Sequence, residues 1–450
     1  MTTIINHPTD EPTEPTPALD EATEAIIETT ATPIETTEEP AERYPILALP
    51  VDGIPDVIET PEALAAARAA LNAGTGPLAI DTERAHGYRY TAKAYLIQIR
   101  RAGSGTHLID PTAFEFGHPR ADFSDWATEL ADAEWILHAA SQDLPCLAEV
   151  KFLPKKLFDS ELAARLLGLP KVNLGALMEQ ALGITLLKEH SAADWSRRPI
   201  PEDWLAYAAL DVERLNDLRT WLIERLTEAG KLDWAHQEFS YLVAHAADAP
   251  TPRVDPWRRV SGLHSLRTPA ALAVVRELWQ VREQLAADED RAPGRIVPDR
   301  ALAELAARME KEGKTRLVRA DLRSVRGFTN RLANRHEALW LAALDRAAAL
   351  TRAELPPRHS TPEGPPQPRS WERRWPSSFE RFNRVRPALI ERAEELQLPV
   401  ENLLSPDHLR RLLWDSPDTT DAATVEARLA DLGARPWQRE LAVPVIIQLW

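Results

Sequence analysis

Short apolar runs alternate with helical periodicity in the first half of the chain, and helical periodicity alone fills the second. Leu78-Ala79-Ile80, Ala94 to Ile99, Thr106 to Ile109 and Trp135-Ile136-Leu137 are runs of strand type. Gly103-Ser104-Gly105 predicts a tight turn between the second and third. Helices are predicted over 61–72, 122–131, 143–150, 159–167, 173–181 and 202–228. Strands followed by helices that wrap them predict an α/β layer with a mixed sheet. Beyond it, Leu272, Val275, Leu278 and Trp279 recur at helical spacing within a segment from Thr268 to about Arg346. A second helical piece runs from Ser378 to the last residue, so the C-terminal half is predicted to be all-α.

Composition between these segments sets the boundaries. Residues 1–45 are rich in Thr, Pro, Glu and Ala with few large apolar groups, and too little apolar surface is available there to offset the entropy of ordering. They are expected to form a disordered acidic tail. The expected organisation is then a first domain over 46–246, a linker over 247–261, a helical domain over 262–347, a Pro-rich linker over 348–369 and a second helical domain over 370–450.

Charge changes the picture only once it is located. The net charge of -16 argues against a nucleic-acid partner. Yet residues 1–42 hold eleven acids and no Lys or Arg, whereas Arg253 to Arg346 hold 19 Arg or Lys against 13 Asp or Glu. The local surface therefore decides the partner, not the whole-chain sum. The single cysteine, Cys146, excludes an internal disulfide. With no apolar run long enough to span a bilayer and no secretory signal pattern, a cytoplasmic protein without a membrane partner is expected.

The candidate chemistry lies in three short blocks. Asp81 and Glu83 end an apolar run at i, i+2, which places both on one face of a strand. His138 ends the buried run Trp135-Ile136-Leu137, and Asp143 follows where Pro145 fixes the first turn of a helix. Tyr207 and Asp211 lie at i, i+4 on one helix face. A further Asp-x-Glu, Asp211-Val212-Glu213, falls on a helix where the two acids point to different sides and cannot share a cation. Four carboxylates at one point demand counter-charge, and two divalent cations supply it in phosphodiester-cleaving sites.

In this order the three blocks resemble the motifs of the DEDDy 3′–5′ exonucleases. Leu96-Ile97-Gln98-Ile99, Leu137 to Asp143, Asp194-Trp195-Ser196-Arg197-Arg198-Pro199 and Tyr207 to Val212 narrow the resemblance to ribonuclease D over about residues 46–246. Arg84 departs from it, since the family more often has an apolar or aromatic residue there. The resemblance implies a ribonuclease H-like α/β exonuclease domain and a two-metal mechanism with Mg²⁺ or Mn²⁺. Asp81 would bridge both cations, Glu83 and Asp211 would complete the first site, and Asp143 would support the second, partly through water. Tyr207 would align the attacking water, and Gln98 and His138 are candidate substrate contacts.

Leu266 to Pro269, Leu278 to Arg282, Arg295 to Pro298 and Val325 to Phe328 resemble the helicase-and-ribonuclease-D C-terminal (HRDC) domain, a small helical bundle. Residues 370–450 are similar to a second such bundle. Lys314, Arg316, Arg319, Arg323, Arg326, Arg331 and Arg335 form a basic stretch in which Arg319, Arg323 and Arg326 are candidate RNA contacts through their phosphates. Trp371 and Trp375, beside Arg373 and Arg374, are assigned to the core rather than to base stacking. The resulting expectation is a metal-dependent exoribonuclease acting on single-stranded RNA 3′ ends, tRNA precursors among them. A 3′–5′ DNA exonuclease and a non-catalytic RNA-binding protein on a relic nuclease fold are the alternatives.

Overall fold

The computed structural model of the chain describes residues 44–186, 190, 192–249, 251–359 and 364–450. All of the expected acidic tail except its last two residues lies outside them. Eight strands occur among the described residues: β1 Ile46–Leu47, β2 Val57–Ile58, β3 Thr75–Arg84, β4 Ala94–Ala102, β5 Gly105–Ile109, β6 Glu134–Leu137, β7 Lys156–Asp159 and β8 Thr185–Leu186. Six of them form one sheet in the order β2-β5-β4-β3-β6-β7, while β1 and β8 pair separately. The β3–β4 and β4–β5 pairs are antiparallel, and β2–β5, β3–β6 and β6–β7 are parallel, so the sheet is mixed as expected.

Local sequence explains the central strands. Leu78, Ala79 and Ile80 of β3 and Trp135, Ile136 and Leu137 of β6 are fully buried, which suits strands covered on both faces. Gly103 and Gly105 take φ of +82° and +79°, the left-handed turn conformation that lets β4 reverse into β5. A register shift leaves Tyr95 as an extra residue, because Glu83 faces Leu96 while Arg84 faces Ala94. Such a bulge bends the strand and re-aims its side chains beside the site.

Two local expectations are corrected, and one strand is added that the sequence did not suggest. The helix expected over 202–228 is two helices, Glu202–Glu213 and Leu215–Glu228, because Arg214 leaves helical geometry at φ -119°, ψ 13°. Lys156–Asp159 is an edge strand, too short to show periodicity. The helix expected over 122–131 is confined to Ser124–Glu129.

The helical C-terminal half contains two different kinds of packing. Between Trp257 and Ala347, buried residues including Leu278, Leu302, Phe328 and Trp340 make a core of their own. Beyond Trp371, the buried residues Val385, Leu412, Trp437 and Ile446 belong to the same apolar cluster as Leu78, Trp135 and Phe239. Trp234 stacks on Trp437 with ring centroids 4.8 Å apart, and the Trp437 indole donates to Glu238 at 2.8 Å. Trp371 is fully buried and Trp375 packs on the same core, in line with their assignment. Among the described residues no helix is long and apolar enough to cross a membrane.

Candidate active site

The end of β3, the turn after β6 and the helix Glu202–Glu213 converge on a cavity of about 600 Å³. Asp81, Glu83, His138, Asp143, Tyr207 and Asp211 all line it. Strand alternation aims Asp81 and Glu83 the same way, and the buried small face of the helix (Ala206, Ala208, Ala209) lets Asp211 approach them closely. Ligand oxygens of Asp81, Glu83 and Asp211 lie within 4.8 Å of one another. Asp143 is held apart from that trio. Its Oδ1 accepts from the Thr82 hydroxyl at 2.6 Å, and Thr82 sits on the opposite side of β3 from Asp81. Glu213 turns away to meet Arg100 at 3.4 Å, which bears out the geometric exclusion of the second Asp-x-Glu.

Like charges crowded in a buried place resist joint ionisation. Burial, with the charge of Asp211 second, pushes Asp81 up to about 8. Burial and then Asp81 push Asp143 up to about 8. Asp211 is raised to about 7, chiefly by burial, although the Tyr207 hydroxyl donates to it and works in the opposite sense. Glu83 lies well above its usual range through burial and then the charges of Asp81, Asp211 and Asp143. The pocket is therefore short of positive charge near neutrality. Its carboxylate donors are all oxygen, which suits a hard divalent cation.

Sequence reasoning missed Asp159 as a supporting residue. Asp159 accepts four backbone N–H bonds, from Ala139 (3.1 Å), Ala140 (2.9 Å), Glu161 (3.0 Å) and Leu162 (3.2 Å). It thereby caps the helix Ser160–Leu166 and clamps the turn that leads to Asp143. An Asp just ahead of a helical run is a cap signal, but its second pair of bonds crosses about twenty residues and leaves no local trace. His138 Nδ1 meets the Ser160 hydroxyl at 2.9 Å, and burial lowers its pKa to about 4, so the ring is neutral. Trp195, fully buried, places its ring 6.4 Å from that of Tyr207 and braces it. Lys171 and Arg84 bring cations to the cavity wall.

The candidate substrate contacts differ in accessibility. Gln98 is fully buried and does not line the cavity, because its place opposite Asp81 on β4 is covered, so it is not exposed to substrate. Among the described residues neither of its amide atoms has a hydrogen-bond partner. Arg319 and Arg323 share Glu337, at 3.2 and 2.6 Å, which offsets one of their two charges and leaves both side chains exposed. Arg326 instead lines a separate groove with other arginines.

Residues 55–227 match the model of a 3′-5′ exonuclease domain, 271–344 that of the HRDC domain and 364–449 that of a 3′ to 5′ exonuclease C-terminal domain. Ribonuclease D of Acidiphilium cryptum is 32% identical over 319 residues, which is 69% of this chain and 76% of that protein. The chain belongs to the ribonuclease D family. Escherichia coli RNase D, an exoribonuclease involved in structured RNA processing, superposes with a TM-score of 0.61 at 25% identity, over 88% of this chain and 98% of its own. A Bifidobacterium adolescentis protein superposes with a TM-score of 0.80 at 37% identity, over 90% of this chain and 99% of its own. As a member of this family the chain is a 3′–5′ exoribonuclease, and its exonuclease family depends on divalent metal.

Proposed function

We propose that Asp81, Glu83, Asp143 and Asp211 are the residues that hold two divalent cations, Mg²⁺ or Mn²⁺, and that Tyr207 orients the attacking water. The convergence of three carboxylates within 4.8 Å, with the fourth on the same cavity wall, carries this reading. When bound, the cations supply an activated water and stabilise the departing 3′ oxygen. The protein's own part is positioning. Thr82 fixes Asp143, the helix Glu202–Glu213 stacks Tyr207 over Asp211, and the neutral His138 stands at the cavity edge. Lys171 and Arg84 offer positive charge to the phosphate of the scissile nucleotide.

The substrate we propose is RNA with a single-stranded 3′ end, tRNA precursors among them, acted on in the cytoplasm. The domain division is proposed as 46–246, 262–347 and 370–450. Asp81→Ala assayed with Mg²⁺ on 3′-labelled RNA should lose mononucleotide release by several orders of magnitude. Undiminished release would refute the assignment.

A further inference from the structure

The loop Asp194-Trp195-Ser196-Arg197-Arg198-Pro199 puts no side chain on the wall of the catalytic cavity, yet one of its side chains bonds it to the sheet that carries the carboxylates. We propose that Arg198 is a positioning residue for hydrolysis, which holds Tyr207, through Trp195, in register with the strand that carries Asp81 and Glu83. The Arg198 guanidinium gathers three segments. Its Nε donates to Asp110 Oδ2 at 2.6 Å, its Nη1 to the Trp195 carbonyl at 2.7 Å and its Nη2 to the Tyr95 carbonyl at 2.9 Å. A planar guanidinium fixes the directions of these bonds relative to one another, which a single ammonium does not.

The sheet end of this clamp is firm. Asp110 directly follows β5, and its side chain is only 4% exposed. Its other oxygen accepts from the Thr112 amide at 2.8 Å and hydroxyl at 2.6 Å, so the carboxylate is fixed on both sides. Tyr95 is the extra residue of the β4 bulge and, among the described residues, pairs with neither β3 nor β5. An unpaired carbonyl needs another donor, and the guanidinium supplies it. The next residue, Leu96, faces Glu83 across the ladder. Arg198 therefore grips the sheet one residue from the partner of a candidate cation ligand.

The loop end leads to Tyr207. Trp195 is fully buried in a small apolar cluster with Tyr95, Leu96, Ala208 and Ala209, apart from the main core, and Tyr207 packs against that cluster. Its ring stands 5.3 Å from that of Trp204 and 6.4 Å from that of Tyr207. The Trp195 indole N–H has no partner among the described residues, so packing and the carbonyl gripped by Arg198 hold this residue in place. Arg89 adds a second hold on the loop, its Nε donating to the Ser196 hydroxyl at 2.7 Å. A phenol that must meet an attacking water tolerates little displacement, since misplacement by about 1 Å costs about a hundredfold in rate.

This inference rests on the reading of Tyr207 as the group that orients the water, and a double-mutant cycle tells the two apart. Arg198→Lys keeps a charge beside Asp110 but loses the planar fork that holds both carbonyls. We would measure kcat and KM on 3′-labelled RNA with saturating Mg²⁺ for the full chain, Arg198→Lys, Tyr207→Phe and the double variant. Arg198→Lys is expected to lower kcat by about 10- to 100-fold with KM near that of the parent. In the Tyr207→Phe background the same substitution should lower kcat by less than about threefold, because no hydroxyl is left to position.

An equal fall in both backgrounds would show that Arg198 acts elsewhere and would overturn the inference while leaving the role of Tyr207 intact. A lower melting temperature with unchanged kcat would make Arg198 purely structural and overturn it as well. A raised KM with unchanged kcat would make it a substrate contact, with the same consequence. Unchanged kcat in Tyr207→Phe would defeat the reading of the tyrosine itself, and the inference would fall with it. If Arg198→Lys does not fold, Trp195→Phe, which withdraws part of the ring that flanks Tyr207, goes through the same cycle with the same expected non-additivity.

Discussion

The two helical regions of the C-terminal half meet the exonuclease domain through different chemistry. Residues beyond Trp371 complete its core. Trp437 lies against Trp234, Arg435 pairs with the buried Glu238 at 2.8 Å, and the Lys231 ammonium donates to the Gln397 carbonyl at 3.1 Å. Gly168 admits the chain at this seam, since a β-carbon there would come within 2.3 Å of the Gln397 carbonyl oxygen. The HRDC bundle keeps its own core and docks through polar contacts. Asp290 accepts from the Thr91 amide and hydroxyl at 3.0 and 2.9 Å and from the Tyr95 hydroxyl at 3.4 Å, and the Ala292 amide donates to the Tyr88 carbonyl at 3.0 Å. Burying apolar surface ties two elements into one cooperative unit, whereas a few part-buried hydrogen bonds leave them separable. The last helical region is thus part of the catalytic scaffold, and the HRDC bundle is an attachment placed beside its mouth.

The strongest test of this contrast is Trp437→Ala. Loss of a fully packed indole in a shared core should cost about 3–5 kcal/mol. Calorimetry should show the exonuclease transition moving down together with that of the C-terminal region. If the C-terminal helices melt alone while the exonuclease transition stays, the shared-core description fails.

The next effect separates the two units by pH. In the folded, cation-free protein Asp81 and Asp143 titrate near 8 and Asp211 near 7, whereas an unfolded Asp titrates near 3.9. Between those limits the folded state holds more protons than the unfolded state, so stability falls as pH rises through 7 to 8. Melting in EDTA should therefore drop by several degrees between pH 6 and pH 8.5 for the exonuclease unit, and much less for the HRDC transition. Saturating Mg²⁺ should remove the dependence. An EDTA melting temperature that rises over this range would contradict the crowded-carboxylate site.

A smaller change is expected from Asp290→Ala, which removes three hydrogen bonds at the docking seam. Hydrogen exchange at Tyr88, Thr91 and Tyr95 should accelerate, with a loss of about 1–3 kcal/mol confined to docking. A matching fall in the exonuclease melting temperature would show that the seam is structural after all. The smallest effect should come from Arg319→Ala and Arg323→Ala, whose exposed pairing with Glu337 is screened by solvent. RNA affinity and melting temperature should both stay near those of the parent, and a large loss of affinity would return these residues to the substrate path.

What the sequence determined was whatever repeats over a few residues. The i, i+2 spacing of Asp81 and Glu83, the i, i+4 spacing of Tyr207 and Asp211 and the buried run before His138 aim side chains by backbone geometry alone, so the carboxylate set was legible. Contacts across long stretches of chain were not. Thr82 reaches Asp143 across 61 residues, and Asp290 reaches Thr91 across 199. Gln98 shares a strand pattern with its neighbours, yet only packing decided that it is covered. The basic stretch from Lys314 to Arg335 reads as one feature in sequence, and only the placement of Glu337, Asp345 and Glu289 decided which of its charges have an acid beside them. Local periodicity fixes the direction of a side chain. Its partner, and therefore its burial and net charge, is fixed by where distant segments come to rest.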